Sequence, residues 1–310
     1  MPSRIYIDVS GWRYPAWRGV IYPRELPQRL ELAYISRLMP TVEINGTFYS
    51  LQRPEQFERW FAGTPHDFVF SVKGPRFITH MKRLKDVRVP LSNFFASGVF
   101  NLRHKLGPVL WQFPPQQRFN RDRIVEFLEM LPKDTAAALS LARGRDLRRM
   151  RGRASLAIDA VRPIRHAFEI RHESFLDPDF VRLLRAHNAA LVIADTAKRW
   201  PMPMDITADF VYVRLHGDKK LYQSGYSDRA LDRWAERLRT WQAGGVSDGM
   251  TIAGTRLPRR ARDVYCYFDN TDVKLRAPVD AQTLMRKLGQ ECKYTKSRLL
   301  KELLQTAPPH

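Results

Sequence analysis

The feature that most constrains this chain is a short alternation that recurs eight times. In each copy, apolar side chains fall on one face of an extended segment and a mixed, polar-bearing set falls on the other. The densest copy is His166–Phe175, HAFEIRHESF. There Phe168 and Ile170 alternate with Glu169 and Arg171, and His172, Glu173 and Ser174 follow. A strand in an open antiparallel sheet would also show a charged face to water. The crowding of titratable groups at the C-terminal end argues instead for parallel α/β architecture, in which strand C-termini hold ligands.

Taken in order, the strands are Ile5–Val9, Thr41–Asn45, Phe68–Lys73, Pro108–Phe113, the His166 stretch, Ala190–Asp195, Phe210–His216 and Val264–Asn270. Helical spacing appears in between, over Leu26–Met39, Pro54–Ala62, Leu91–His104, Asp122–Leu131, Asp179–Asn188, Asp228–Ala243, Ala281–Leu288 and Lys296–Leu304. Eight strands alternating with helices predict a single (β/α)8 TIM barrel, with a doubly wound sheet as the alternative. Strands buried under helices on both sides read as continuous apolar runs. These have one mixed face, which suits a narrow barrel interior. The expected domain is residues 1–290. It carries a basic arm at about 134–165, in which Asp134–Arg153 reads as another helix or an irregular arm, and a Gly-rich basic surface insertion at about 244–263. A C-terminal helix and tail follow at 291–310.

Charge and cysteines bound the function. The 52 Lys and Arg outweigh 32 Asp and Glu, for a net charge of +20. That bias favours an anionic small molecule or nucleic acid as partner. Cys266 and Cys292 form no CxxC, so neither a disulfide framework nor a zinc knuckle is indicated. No uncharged apolar run nears the ~18 residues of a membrane span. The expectation is a cytoplasmic protein with no membrane association.

In a barrel, the mixed faces converge near the C-terminal mouth. They bring Asp8 and Ser10, Glu43 and Asn45, Ser71 and Lys73, Gln112, Glu169 and Arg171 or His172, Asp195, Arg214 and His216, and Asp269 with Asn270. Charges so buried must be paired or neutralised. Lys73, Arg171 and Arg214 are candidate anion ligands. Glu43, Glu169, His172 and His216 are the acid/base candidates. Glu169, His172, Asp195, His216 and Asp269 have the mixed donor set that Zn or Mn accepts, but no HExxH or other compact motif accompanies them. No metal is therefore assigned, and no nucleotide-cofactor motif is present. Trp12, Tyr14, Phe48 and Tyr49 follow the first two strands, where they could wall a pocket or stack on a ring. Arg143, Arg145, Arg148, Arg149, Arg151, Arg153, Arg162 and Arg165 make the arm a possible phosphate contact or a solvated face.

The chain resembles the YecE-like family, a widespread TIM-barrel domain of unknown function. The resemblance rests on DVSGWRYPAWRGVIYP at Asp8–Pro23, VEINGTFYSL at Val42–Leu51, FSVKGPRFITH at Phe70–His80, LGPVLWQFPP at Leu106–Pro115, FEIRHESF at Phe168–Phe175, YVRLHGD at Tyr212–Asp218 and YCYFDNT at Tyr265–Thr271. It implies a barrel with its site at the mouth, and it supplies no reaction. It carries over to Gly11, Trp12, Glu43, Asn45, Thr47, Phe48, Tyr49, Lys73, Thr79, His80, Gln112, Glu169, Arg171, His172, Asp195, Arg214, His216, Gly217 and Asn270. One departure is Asp269, where the family usually has the first of two Asn.

Two functional expectations follow. The first is an enzyme, a hydrolase or lyase, acting on a phosphate-bearing or sugar-like substrate at the mouth; fold analogy alone extends this to nuclease-like activity. The second is a non-catalytic nucleic-acid-binding protein that uses the arginine-rich arm.

Overall fold

The computed structural model describes residues 3–253, 259–270, 275–290 and 296–306. Strands β1 (Ile5–Val9), β2 (Thr41–Ile44), β3 (Val69–Lys73), β4 (Leu106–Gln112), β5 (His166–Glu169), β6 (Ala190–Leu191), β7 (Ile193–Asp195), β8 (Phe210–Leu215) and β9 (Asp263–Phe268) pair only in parallel. Parallel neighbours need crossover connections, and helices supply most of them. The α/β class therefore agrees with the sequence expectation.

Strand pairing divides into two sheets, in the orders β1-β9-β8-β7 and β2-β3-β4-β5-β6. The sixth expected strand is broken at Val192 into β6, which pairs with β5, and β7, which pairs with β8. At the other junction, Ser10 bridges to Glu43 in parallel, and the Gly11 amide donates to the Glu43 carbonyl at 2.9 Å.

One face of each sheet packs under helices. Ile7, Val9, Val42, Ile44, Phe70, Val72, Phe168, Val213 and Cys266 all belong to this large core. The opposite faces of the two sheets meet each other. Leu110, Ala167, Val192, Ala194, Tyr212, Tyr265 and Tyr267 form a second cluster there. Cross-sheet contacts tie it together: Thr41 Oγ1 lies 2.8 Å from Tyr267 Oη, and Ser71 Oγ 2.7 Å from Tyr212 Oη. Period two thus separates an apolar layer from an interior that becomes polar toward the strand C-termini.

The helices are α1 (Glu31–Leu38), α2 (Gly46–Tyr49), α3 (Pro54–Ala62), α4 (Arg88–Ala96), α5 (Arg121–Met130), α6 (Thr135–Arg143), α7 (Pro178–Ala186), α8 (Asp228–Gln242), α9 (Arg276–Lys287) and α10 (Lys296–Thr306). In α8, Leu231, Trp234, Ala235, Leu238 and Trp241 form the buried stripe that their spacing predicts. Leu299 and Leu303 fix α10 to the same core. No helix among the described residues is long and apolar enough to cross a membrane.

Three segments differ from the sequence expectation. Leu91–His104 is not one helix: α4 stops, Gly98 turns at a φ of +111°, and a 3-10 segment Val99–Lys105 follows. Gly98 is required there, because a Cβ would come within 2.5 Å of the Pro54 backbone. The arm Asp134–Arg153 is helical only in α6, which Asp134 caps by accepting from the Ala137 amide at 2.8 Å. The insertion at 244–263 is not wholly a surface feature, since Arg262 is buried at its end. Residues 254–258 of that insertion, like Cys292 and the 307–310 tail, lie outside the described residues.

Candidate functional site

Alternation along β8 points Phe210, Tyr212, Arg214 and His216 into the space between the sheets. Arg214 is fully buried there and organises the strand ends. Its Nε donates to Glu43 Oε2 at 3.1 Å and its Nη2 to Glu43 Oε1 at 2.8 Å, a two-point contact. Nη1 donates to Glu169 Oε2 at 2.8 Å. Nη2 also reaches Asp269 Oδ2 at 3.0 Å and Ser10 Oγ at 3.1 Å. One guanidinium from β8 thus holds carboxylates at or next to the C-terminal ends of β2, β5 and β9.

Every partner is held a second time. Glu43 accepts from Tyr212 Oη at 2.7 Å and from Ser10 Oγ. Ser10 Oγ in turn accepts from Asn45 Nδ2 at 2.8 Å. Gln112 Nε2 lies 2.9 Å from both oxygens of Glu169, and Arg171 Nε donates to Glu169 Oε1 at 2.9 Å. His216 Nδ1 lies 3.1 Å from Asp269 Oδ2. Such a network is high in stakes, because an unpaired charge at this depth is costly.

The charges shape one another. Burial pushes the Glu169 carboxyl up, but Arg171 and Arg214, with His216 and Lys73, outweigh it and hold the group well below the carboxylate range. Asp269 shows the same contest, with burial raising it and Arg214 and His216 pulling it down. Both are anions at neutral pH. Lys73 goes the other way: burial, with Arg214 adding repulsion, pushes its ammonium down to about 8 against attraction from Glu43, Asp269 and Glu169. Burial, Lys73 and Arg171 together push His80 down to about 4.

A cavity of about 980 Å³ opens above this network. Lys73, His80, Gln112, Arg171, Tyr222 and Asp269 line it, together with Tyr14, Asn45, Phe48, Tyr49, Arg76 and Met81. Lys73 is 8% exposed, and its Nζ sits 4.3 Å from the centroid of the Phe48 ring. It donates no hydrogen bond to any described residue. Arg171 stacks over Trp200 at 4.1 Å, and its Nη2 donates to Tyr222 Oη at 3.2 Å. The π-helical turn Phe77–Met81 carries His80 to the wall, where the ring meets Phe48 edge-on at 5.0 Å. Thr47 Oγ1 donates to the Lys73 carbonyl at 2.7 Å, so the turn after β2 braces the end of β3.

Of the residues expected from sequence, Asn45, Tyr49, Lys73, His80, Gln112, Arg171 and Asp269 line the cavity. Glu43, Glu169, Arg214 and His216 lie beneath its floor with no exposed surface. Arg214 is therefore corrected from an anion ligand to the organiser of three carboxylates: its donors are spent on protein acceptors.

Four other expected residues lie elsewhere. Trp12 is buried in the outer core, edge-on to Trp60 at 5.5 Å. His172 Nδ1 accepts from the Ser174 amide at 3.0 Å and caps a local turn. Asp195 faces away from the cavity, because Val192 and Ala194 take the interior face; it accepts from Tyr226 Oη at 3.2 Å. Asn270 follows inward Asp269 and so points outward, its Nδ2 donating to Asp280 Oδ2 at 3.1 Å. With His172 and Asp195 turned away, the five residues weighed for a metal do not converge. No group of three or more His, Cys, Asp or Glu among the described residues is placed to hold an ion. Asp8 lies inside but below the network. Burial pushes its carboxyl well above the usual range, toward the neutral acid.

Sequence reasoning left Ser10 and Tyr212 without a role, although alternation puts them beside Glu43 and Arg214. Arg76 and Tyr222 also line the cavity, from the start of the π-helical turn and from the loop after β8, where no strand or helix period marks them.

Residues 6–304 match the model of a family described as "Protein of unknown function DUF72". Among curated proteins, the chain is 32% identical over 116 residues to the UPF0759 protein YunF of Bacillus subtilis, covering 36% of this chain and 40% of that relative. It is 30% identical over 112 residues to the UPF0759 protein YecE of Escherichia coli K12, covering 36% and 38%. The matched stretch is thus about two fifths of either relative. A crystal structure of a DUF72 family protein from Thermotoga maritima superposes with a TM-score of 0.69 at 25% identity, covering 92% of this chain and 99% of that one. One from Enterococcus faecalis shares the fold with a TM-score of 0.64 at 16% identity, covering 92% and 95%. With its family match running almost end to end, the chain belongs to the DUF72 family.

Proposed function

We propose that the two sheets are halves of one (β/α)8 barrel, and that the cavity at its strand C-termini binds a phosphate-bearing or sugar-like anion as the substrate of an enzyme. The bridge from Ser10 to Glu43 and the β6–β7 line shared between the sheets support the closed order. The observation that carries the functional reading is Lys73, a cation nine-tenths buried on the cavity wall, with a ring face beside it and no acceptor among the described residues. Buried charge is rarely left without a partner, and a ligand anion would supply one.

In this reading Arg171 and Arg76 join Lys73 around the anion, and Asn45 offers an acceptor to a ligand hydroxyl, its buried Oδ1 being unpartnered. Glu43, Glu169, Arg214 and His216 are positioning residues beneath the floor. Glu169 is too acidic and too fully bonded to exchange protons near neutral pH. Lys73, near 8, is the better proton carrier for hydrolase or lyase chemistry: its ammonium, paired with the ligand anion, gives a proton to the leaving group, and the amine takes one back from water.

Calorimetric titration with ribose 5-phosphate, inorganic phosphate and ribose tests the binding. Both phosphates should bind and ribose should not. Lys73→Met should weaken binding by about tenfold or more. Ribose binding as tightly as its phosphate would end the anion reading.

A second reading has one observation of its own. Arg143, Arg148, Arg149, Arg151 and Arg153 are exposed, whereas Arg162 and Arg165 are paired with Asp159 and Asp263. This exposed cationic stretch is suited to a polyanion such as nucleic acid, bound without chemistry.

A further inference from the structure

Beside the mouth cavity lies a second, more apolar pocket of about 390 Å³. Phe48, Tyr49, Arg76 and Met81 line both, so the two spaces adjoin. Four large apolar side chains border this pocket while remaining open to solvent: Tyr49 is 68% exposed, Met81 64%, Val89 47% and Phe77 36%. They come from α2, the π-helical turn and α4, so no single element explains their gathering. Exposed apolar surface collected in one concavity marks a binding site more often than a packing accident. Two guanidinium groups flank the aromatic members, Arg76 over Tyr49 at 5.6 Å and Arg149 over Phe77 at 6.0 Å.

We infer that this side pocket is the subsite for an aromatic ring carried by the anion that the mouth binds, so that the ligand class is an aryl- or heteroaryl-bearing phosphate. Arg76 borders both spaces and would sit where the charged head joins the ring. Tyr49 and Phe77 offer faces and edges for stacking, and Met81 a polarisable contact. A protein partner on this surface would need a broad, mostly apolar face. The pocket instead is small, concave and continuous with a polar cavity, and the Arg76 and Arg149 guanidinium groups border it together with the Asp146 carboxylate, which fits a small ligand with two chemical halves. The inference rests on the anion-binding reading of the mouth.

The test titrates the whole chain with methyl phosphate, 1-naphthyl phosphate and uncharged 1-naphthol. Parent is compared with Phe77→Ala and Val89→Asn, two residues that line only the side pocket. The expected result is that 1-naphthyl phosphate binds about tenfold or more tightly than methyl phosphate. Both variants should reduce that advantage and leave methyl phosphate affinity unchanged. Equal affinity for the two phosphates overturns the ring subsite and leaves the anion site standing. Binding of naphthol as tight as that of its phosphate overturns the coupling of ring to anion. No binding of either phosphate overturns the anion reading and this inference together. If light scattering shows a dimer in the parent that either variant dissolves, the patch is a self-interface and the inference fails.

Discussion

Arg214 and Glu43 meet through two hydrogen bonds, at 3.1 and 2.8 Å, with neither side chain exposed. This pair joins the C-terminal ends of β8 and β2, which belong to different sheets. Replacing Arg214 with Met would leave Glu43, Glu169 and Asp269 facing one another without their shared cation. Breaking a buried pair from one side costs about 3–5 kcal/mol. Urea unfolding should show at least that loss for Arg214→Met. Arg214→Lys should recover little, because an ammonium cannot make the two-point contact.

Lys73 should behave oppositely. Its ammonium donates no hydrogen bond to a described residue and burial outweighs the pull of Glu43, Asp269 and Glu169, so Lys73→Met should cost no stability at pH 7 even as anion binding falls. The folded value near 8 lies below the ordinary 10.5, so between those two values the unfolded chain binds the extra proton. Stability of the parent should therefore rise relative to Lys73→Met as pH climbs from about 8 to about 10.5, by up to about 3 kcal/mol. Paired unfolding curves across that window give the sign directly.

Glu169 gives the acid-side counterpart. Its folded carboxyl is held below its ordinary value of 4.5, so its stabilisation is full above that value and drains away as pH falls through the lowered one. Glu169→Gln should be clearly less stable than the parent at pH 7. The gap should narrow steadily below pH 4.5. A gap that does not change with pH would mean that Glu169 acts only through its shape.

Gly74 follows Lys73 and leaves no room for a side chain. A Cβ there would stand 2.4 Å from the ring of Trp111, which is fully buried. Gly74→Ala should cost about 1–3 kcal/mol through overpacking. Because the strain falls next to Lys73, it should also weaken phosphate binding, as read by calorimetry.

The exposed arginines of the arm give a separable prediction. Neutralising Arg143, Arg148, Arg149, Arg151 and Arg153 together should sharply lower affinity for a single-stranded oligonucleotide and flatten its salt dependence. The 1-naphthyl phosphate comparison is unsuited to this variant, because Arg149 flanks the side pocket. Inorganic phosphate should bind as before. An oligonucleotide affinity indifferent to both salt and the substitutions would remove the polyanion reading.

Much of the interior is legible in the alternation of residues along each strand. That alternation puts Glu43, Lys73, Gln112, Glu169 and Arg214 on the interior face, and they are there. Asp195 is misplaced because the polar end of its strand reads as interior: Ala190, Val192 and Ala194 alternate inward without a shift through the break at Val192, which leaves Asp195 on the other face. Asn270 is misplaced by the same step of one, since a side chain next to an inward Asp269 must face out. Trp12 reads as a pocket wall because its loop follows a strand, but the outer core takes it.

The sequence by itself determined the parallel α/β class, the helix faces and which strand residues share the interior, because these follow from periods of two and 3.6 that act over a few residues. Only the tertiary structure decided which charges are spent and which are free. Arg214, Arg171 and Lys73 look alike as candidate anion ligands in the chain. Their difference lies in partners brought from other strands: Glu43 is 171 positions from Arg214, and Glu169 is 45. Electrostatic energy depends on distance and burial, and neither is set by local spacing. The side pocket was hidden for the same reason, since Tyr49, Phe77 and Val89 become neighbours only when their three elements pack together.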